Sequence, residues 1–395
     1  MQRTKGFDGL RCFSILFVII GHAQILRLST LQPYVQDNVS YLFSGGAGVN
    51  VFFTLSGFLI TSLLLREKEK TGRISIKYFF IRRFLRLLPP IIPFFIAIAL
   101  FMSMGYIRET YLGLAASVMY LYNFIPKAKL FYSAELSHTW SLAVEEQFYL
   151  TWPFIVKFFR DRTKYLLAAG TVLLCACSIF VLPTITTTIQ GKSYLLDQIF
   201  FMNKWTIPAI GPIILGSVAA LIYANHNSAV SQLFALKKAG LVTLTVLLSP
   251  LYLIGGLTPI IPLAFSVGVA LSLVWICCNQ ESIIVKFLEI KPIRYIGLIS
   301  YGLYIWQGFF VRSGQNFLPK IWLHDIPYNI PLTFITAILS YELMEKRVMR
   351  LKERFRPSAM ASPSEKVTTN SLWDGQLPMP TTQAAPTKSR DEVLV

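Results

Sequence analysis

The chain has 395 residues, 54% hydrophobic and 14% charged, with a mean hydropathy of +0.54 and a formal net charge of +17. Soluble domains carry about 25% charged residues, so this composition excludes an ordinary soluble enzyme and points to a polytopic helical membrane protein. Its basic residues fall between apolar runs, where the positive-inside rule explains them and no nucleic-acid partner is needed.

The first apolar run, 11–28, is long and lacks a small-x-small cleavage site, so it is expected to stay as the first span and not to be removed as a signal peptide. Further spans are expected at about 46–65, 87–105, 138–158, 165–183, 205–223, 239–256, 259–278, 293–313 and 328–345. The weaker run 111–126 is barely long enough to cross. If it stays outside, 26 Lys and Arg of residues 1–356 lie on the cytoplasmic side and eight outside; if it crosses, later loops invert and "KFFRDRTK" faces outward. The charge bias selects the first arrangement. The expected fold is therefore all-α, a membrane protein of about ten transmembrane helices with both termini cytoplasmic.

Segment 66–86 (REKEKTGRISIKYFFIRRFLR) reads as a cytoplasmic amphipathic helix, with Pro89 and Pro90 suited to start the next helix. Residues 1–356 form the expected membrane domain. Residues 357–395, rich in Pro, Ser and Thr and poor in aliphatics, read as a disordered cytoplasmic tail. Cys12, Cys175, Cys177, Cys277 and Cys278 all lie in apolar stretches without metal spacing, so they are read as packing residues and no metal site is expected.

Titratable groups inside apolar helices are costly and are functional candidates by default. Arg11 and His22 are eleven residues apart, on one helical face and about 16 Å apart along the axis. Asp8, three residues before Arg11, can pair with it. His138 and Trp140 belong at the outer interface, and Glu145 lies about 10 Å deeper on the same helix. That depth allows Glu145 to meet His22, where a carboxylate would fix the imidazole tautomer. Arg82, Arg83 and Arg86 are either topogenic charge or, as a group, an anion site for a phosphate-bearing donor. The glycines of "SGGAGVNVFFTLSGFLIT" (44–61) read first as helix packing, with a substrate channel as the alternative.

Four ordered motifs make the chain resemble the acyltransferase 3 family of bacterial integral-membrane O-acyltransferases. They are Arg11 with His22 after ten intervening residues, "GVNVFFTLSGFLIT" (48–61), the RxxR pair Arg83 and Arg86, and "HTWSLAVEEQFYLTWP" (138–153) with Glu145 and Phe148 at the ExxF/Y positions. The resemblance covers residues 6 to about 350. It implies transfer of an acyl group, commonly acetyl from acetyl-CoA, to a hydroxyl of a cell-surface polysaccharide, lipopolysaccharide or lipid-linked glycan at the bacterial inner membrane. It further implies His22 as catalytic base with Glu145 in support, and Arg11, Arg83 and Arg86 as donor-binding groups. Asp8, His138, Phe148 and Tyr149 are substrate-site candidates. No permanently bound cofactor is implied; acyl-CoA and the glycan are substrates, the bilayer is the medium, and a separate periplasmic partner could complete the pathway. Two departures bear on the acceptor side: Gln307 stands in "ISYGLYIWQGFF" (299–310) where His is common, and Arg347 stands in "SYELMEKR" (340–347) where Pro is usual. Rival readings are transfer to a macrolide-like small molecule and a proton-coupled transporter or flippase.

Overall fold

The computed structural model describes residues 4–23, 44–107, 110–125, 135–159, 165–174, 204–225, 227–249, 260–311, 322–352 and 355. Among them every regular element is helical and there is no strand. Those that build the site are α1 (Phe7–Ala23), α2 (Gly45–Thr71), α3 (Ile76–Ser103), α4 (Thr139–Phe158), α5 (Gly211–Asn225), α6 (Ile260–Cys278), α7 (Ser300–Phe310) and α8 (Asn329–Ser340).

By length and composition α2, α3 and α6 can each cross a bilayer; α5 and the short helix after it would make a fourth as one broken span. The other expected spans are interrupted, polar or only partly described. Segment 293–313 divides into Lys291–Leu298 and α7 at Ile299, and 328–345 passes from α8 into a π-helical stretch, Tyr341–Glu345. Helix α4 carries Glu145, Glu146 and Lys157 within twenty residues. Parts of 11–28, 165–183 and 239–256 lie outside the described residues, as do 357–395, Cys175 and Cys177. Cys12 and Cys277 are buried.

The weak run 111–126 forms an eight-residue helix, Tyr111–Val118, and a 3-10 turn at Tyr122–Phe124, separated by Tyr120 at φ 55°. Eight residues rise about 12 Å, far short of a hydrocarbon core about 30 Å thick.

Large apolar side chains form exposed rows at four-residue intervals, Ile92, Ile96 and Leu100 on α3 and Leu150, Phe154 and Phe158 on α4. Such rows are untenable in water and natural against lipid. The chain is a membrane protein. Between lipid-covered helices the hydrophobic effect contributes little, so small residues and close packing hold the bundle. Helices α2 and α5 cross where Gly57 faces the Ile213 carbonyl and Gly216 faces the Thr54 carbonyl; a Cβ at either position would collide with backbone. Gly57→Ala and Gly216→Ala are each expected to cost about 1–3 kcal/mol, read as a lower unfolding midpoint in detergent. An unchanged midpoint would mean that these backbones are further apart.

The junction of α2 and α3 corrects the sequence reading of 66–86. Ser44 caps α2 by accepting from Ala47 N, and the helix runs through Arg66 to Thr71, where Gly72 at φ 69° stops it and donates to the Lys68 carbonyl at 2.8 Å. Helix α3 then starts at Ile76, so Pro89 and Pro90 stand inside it and not at its start. The left-handed glycine cap is the stronger local stop. Prolines within a spanning helix are tolerated because neighbouring helices and local adjustments re-satisfy the freed carbonyls. Glu67, 4% exposed, locks the turn by accepting from Ser75 N at 2.8 Å and Arg82 Nη2 at 2.7 Å. The start of α1 is tied in the same way: Glu289 accepts from Gly6 N at 2.7 Å, and Lys5 Nζ donates to Glu281 at 3.0 Å, holding that carboxyl below its usual range.

Candidate active site

His22 stands on the last described turn of α1, half-buried. Its Nδ1 is 2.7 Å from Gln307 Oε1 of α7. Its Nε2 faces the first turn of α2, where a Cβ on Gly45 would stand 3.2 Å from Nε2. A side chain at Gly45 would therefore press on this edge of the imidazole. Gly45→Val is expected to cut any His22-dependent activity by at least tenfold while the helices still assemble, checked by turnover at matched protein level. Full activity in that variant would show that Nε2 is approached from another side.

The wall beside His22 comes from α4 and α7. His138 is 3% exposed and its ring packs edge-on against Phe94 and Tyr304. Gly308 leaves the space that the His138 ring fills. Tyr304 OH donates to the His138 carbonyl at 3.0 Å and lies 2.5 Å from Ser141 Oγ.

A second polar cluster lies further along α2 and α4. Glu145 Oε1 accepts from Ser56 Oγ and from Tyr149 OH. Arg83 of α3 lies over the Tyr149 ring, 3.6 Å from its centroid, and reaches Glu146 Oε1 at 3.4 Å. Arg86 is within electrostatic range of Arg11, Arg83 and Glu145. Asp8 accepts from Arg11 Nη1 at 2.5 Å in a pair almost sealed from solvent, as their three-residue spacing allows. Arg82 belongs to the Glu67 turn and stands apart from this cluster.

The structure thus separates two residues that depth alone allowed to meet. The hydrogen bonds of Glu145 go to Ser56 and Tyr149, and the partner of His22 is Gln307. The reason is axial: Glu145 is seven residues past His138, about 10 Å along α4. At that level its neighbour on α2 is Ser56, eleven residues beyond Gly45. Phe148 is 1% exposed and stacks on Trp152 with ring centroids 5.2 Å apart, so its surroundings are packing. Ser56, Ser141, Tyr304 and Gln307 were not read from the sequence as site residues. For Ser56 and Gln307 a signal existed, a polar residue inside an otherwise apolar motif. Among the described residues no three His, Cys, Asp or Glu side chains are placed to hold a metal ion.

O-acetyltransferase OatA of Staphylococcus aureus (strain NCTC 8325) is 29% identical over 376 residues, which cover 87% of this chain and 57% of that protein. Peptidoglycan O-acetyltransferase OatA of Listeria monocytogenes is 28% identical over 385 residues, covering 88% of this chain and 56% of that protein. The matches thus span little more than half the length of these relatives. No solved structure matches. The family model described as an acyltransferase domain matches residues 4–345, a stretch that holds His22, Arg83, Glu145 and Gln307 alike. With most of its length matched in this way, the chain belongs to that acyltransferase family.

Proposed function

We propose that the chain is a ten-span O-acetyltransferase of the bacterial cytoplasmic membrane, with both termini cytoplasmic and 111–126 lying at the outer interface. It takes an acetyl group from acetyl-CoA and esterifies a hydroxyl of a cell-surface polymer. The observation that carries this reading is His22: inside the matched region, one ring nitrogen is engaged by Gln307 and the other faces the first turn of α2 at Gly45.

The reaction follows from general base chemistry. His22 Nε2 takes the proton of the acceptor hydroxyl as its oxygen attacks the thioester carbonyl. The carbon–sulfur bond breaks, and the CoA thiolate recovers a proton from the imidazolium. In this topology Arg11, Arg83 and Arg86 lie on the cytoplasmic side of His22, where guanidinium groups suit the phosphates of the donor. Their present partners, Asp8 for Arg11 and Glu146 for Arg83, hold them in place until a donor competes. Glu145 with Ser56 and Tyr149 forms the polar lining between the donor mouth and His22. The acceptor is a glycan, and the name of the Listeria relative makes peptidoglycan the first to test.

The test uses membranes containing the full chain, supplied with acetyl-labelled acetyl-CoA and with peptidoglycan precursors or glycolipid as acceptors. The reading expects label in an alkali-labile ester, and the acceptor fraction that carries it identifies the substrate class. Movement of a glycan across the membrane with no ester formed would replace this reading with transport.

A further inference from the structure

The carboxamide of Gln307 has one end in use and one end idle. Its Oε1 is 2.7 Å from His22 Nδ1, and its Nε2 is buried with no hydrogen-bond partner among the described residues, in a side chain 1% exposed. A buried amide N–H without an acceptor costs about 1–3 kcal/mol, a cost that a bound ligand would remove. The nearby polar groups do not satisfy it: the Tyr304 hydroxyl is committed to Ser141 and the His138 carbonyl. His138, whose ring lies at Gly308, makes no hydrogen bond to it from either ring nitrogen, and Lys204 can only donate.

A carboxamide oxygen can only accept, so the contact at Nδ1 requires the proton to be on Nδ1. A neutral imidazole then has its lone pair on Nε2, the nitrogen that faces Gly45. We propose that Gln307 has one positioning and one catalytic role: its Oε1 holds His22 in the tautomer whose Nε2 can accept a proton, and its Nε2 donates to the oxygen of the acyl group brought to His22. The inference rests on the reading of His22 as the base. It gives the site a donor for the carbonyl oxygen as negative charge develops there, a contact that strengthens in the transition state.

Three variants and one spectrum test it in proteoliposomes containing the full chain and acetyl-CoA. Gln307→Leu removes both roles and is expected to lower kcat about 100-fold with the KM for acetyl-CoA nearly unchanged. Gln307→Glu keeps an acceptor for Nδ1–H but loses the N–H donor, so it recovers about tenfold of that loss. With four histidines in the chain, the 15N ring signals of His22 can be assigned by difference against His22→Gln. The expected spectrum at neutral pH has Nδ1 protonated and Nε2 bare, in wild type and in Gln307→Glu. If Gln307→Leu fails to fold, the wild-type spectrum and Gln307→Glu decide alone. Wild-type kcat in Gln307→Leu with His22→Ala inactive overturns this inference and leaves the base assignment standing, whereas Nδ1 bare in the wild type overturns it together with the choice of Nε2 as the accepting nitrogen. Full activity in His22→Ala overturns the base assignment itself.

Discussion

His22→Ala is expected to lower acetyl transfer about a thousandfold, within the range that a positioned general base contributes. The variant should insert and pack normally. His22 is half-buried at the end of described α1, and among the described residues its hydrogen bond reaches Gln307, so its removal leaves a small polar space and no unpaired charge. Glu145→Gln should act differently. A carboxamide oxygen still accepts from Ser56 and Tyr149, so the cluster survives in outline and turnover falls by about tenfold. The measurement is ester-linked label per protein, at matched membrane content, for wild type and both variants. Equal turnover in wild type and His22→Ala would remove the imidazole from the mechanism. A deeper loss in Glu145→Gln than in His22→Ala would move the chemistry to the Ser56–Glu145–Tyr149 cluster.

Arg83→Leu should destabilise the bundle more than any other single change in the second cluster. Side-chain exposure is 15% for Arg83 and 20% for Glu146, so removing the guanidinium strands a carboxylate in a poorly solvated place. Breaking a pair of this kind costs about 3 kcal/mol, and Arg83 also covers the Tyr149 ring. Glu146→Gln in the same chain removes the stranded charge, so Arg83→Leu/Glu146→Gln should recover most of the lost stability. Stability is read as the thermal midpoint in detergent, and activity is measured beside it. Should Arg83 hold the donor as proposed, the double variant regains its midpoint while its KM for acetyl-CoA stays at least tenfold high. Recovery of both would reduce Arg83 to an ion-pair partner. Recovery of neither would mean that its contact with Tyr149, and not the charge pair, is what matters.

Much of this architecture is legible in one dimension. Composition alone makes the chain a helical membrane protein, because an 18-residue run without charge has few alternatives. Helical periodicity places Asp8 beside Arg11, since residues three apart share a face on any helix. It equally places Glu145 and Tyr149 together, four apart on α4. The shortness of 111–126 follows from the same 1.5 Å rise. Gly72 was present in the segment 66–86, yet the run of charge around it read as one amphipathic helix. The competing signal, a glycine able to adopt φ 69°, won.

What lies across helices was decided by packing. Sequence set the depth of His22 and of Glu145 on their helices, but depth fixes one coordinate of three. The direction in which each side chain points depends on which neighbour lies beside it, and α7 takes the place next to His22 that a carboxylate could have taken. The partner of His22 is therefore a neutral amide from the far end of the chain, 285 residues away, at a position where sequence showed only a departure from a pattern. The glycines divide on the same ground: Gly57 lets α2 meet α5, and Gly45 lets the start of α2 pass beside the His22 ring. Identical residue types on one helix acquire these different roles because helix contacts, each set by close fit between small residues, assign every face a different neighbour.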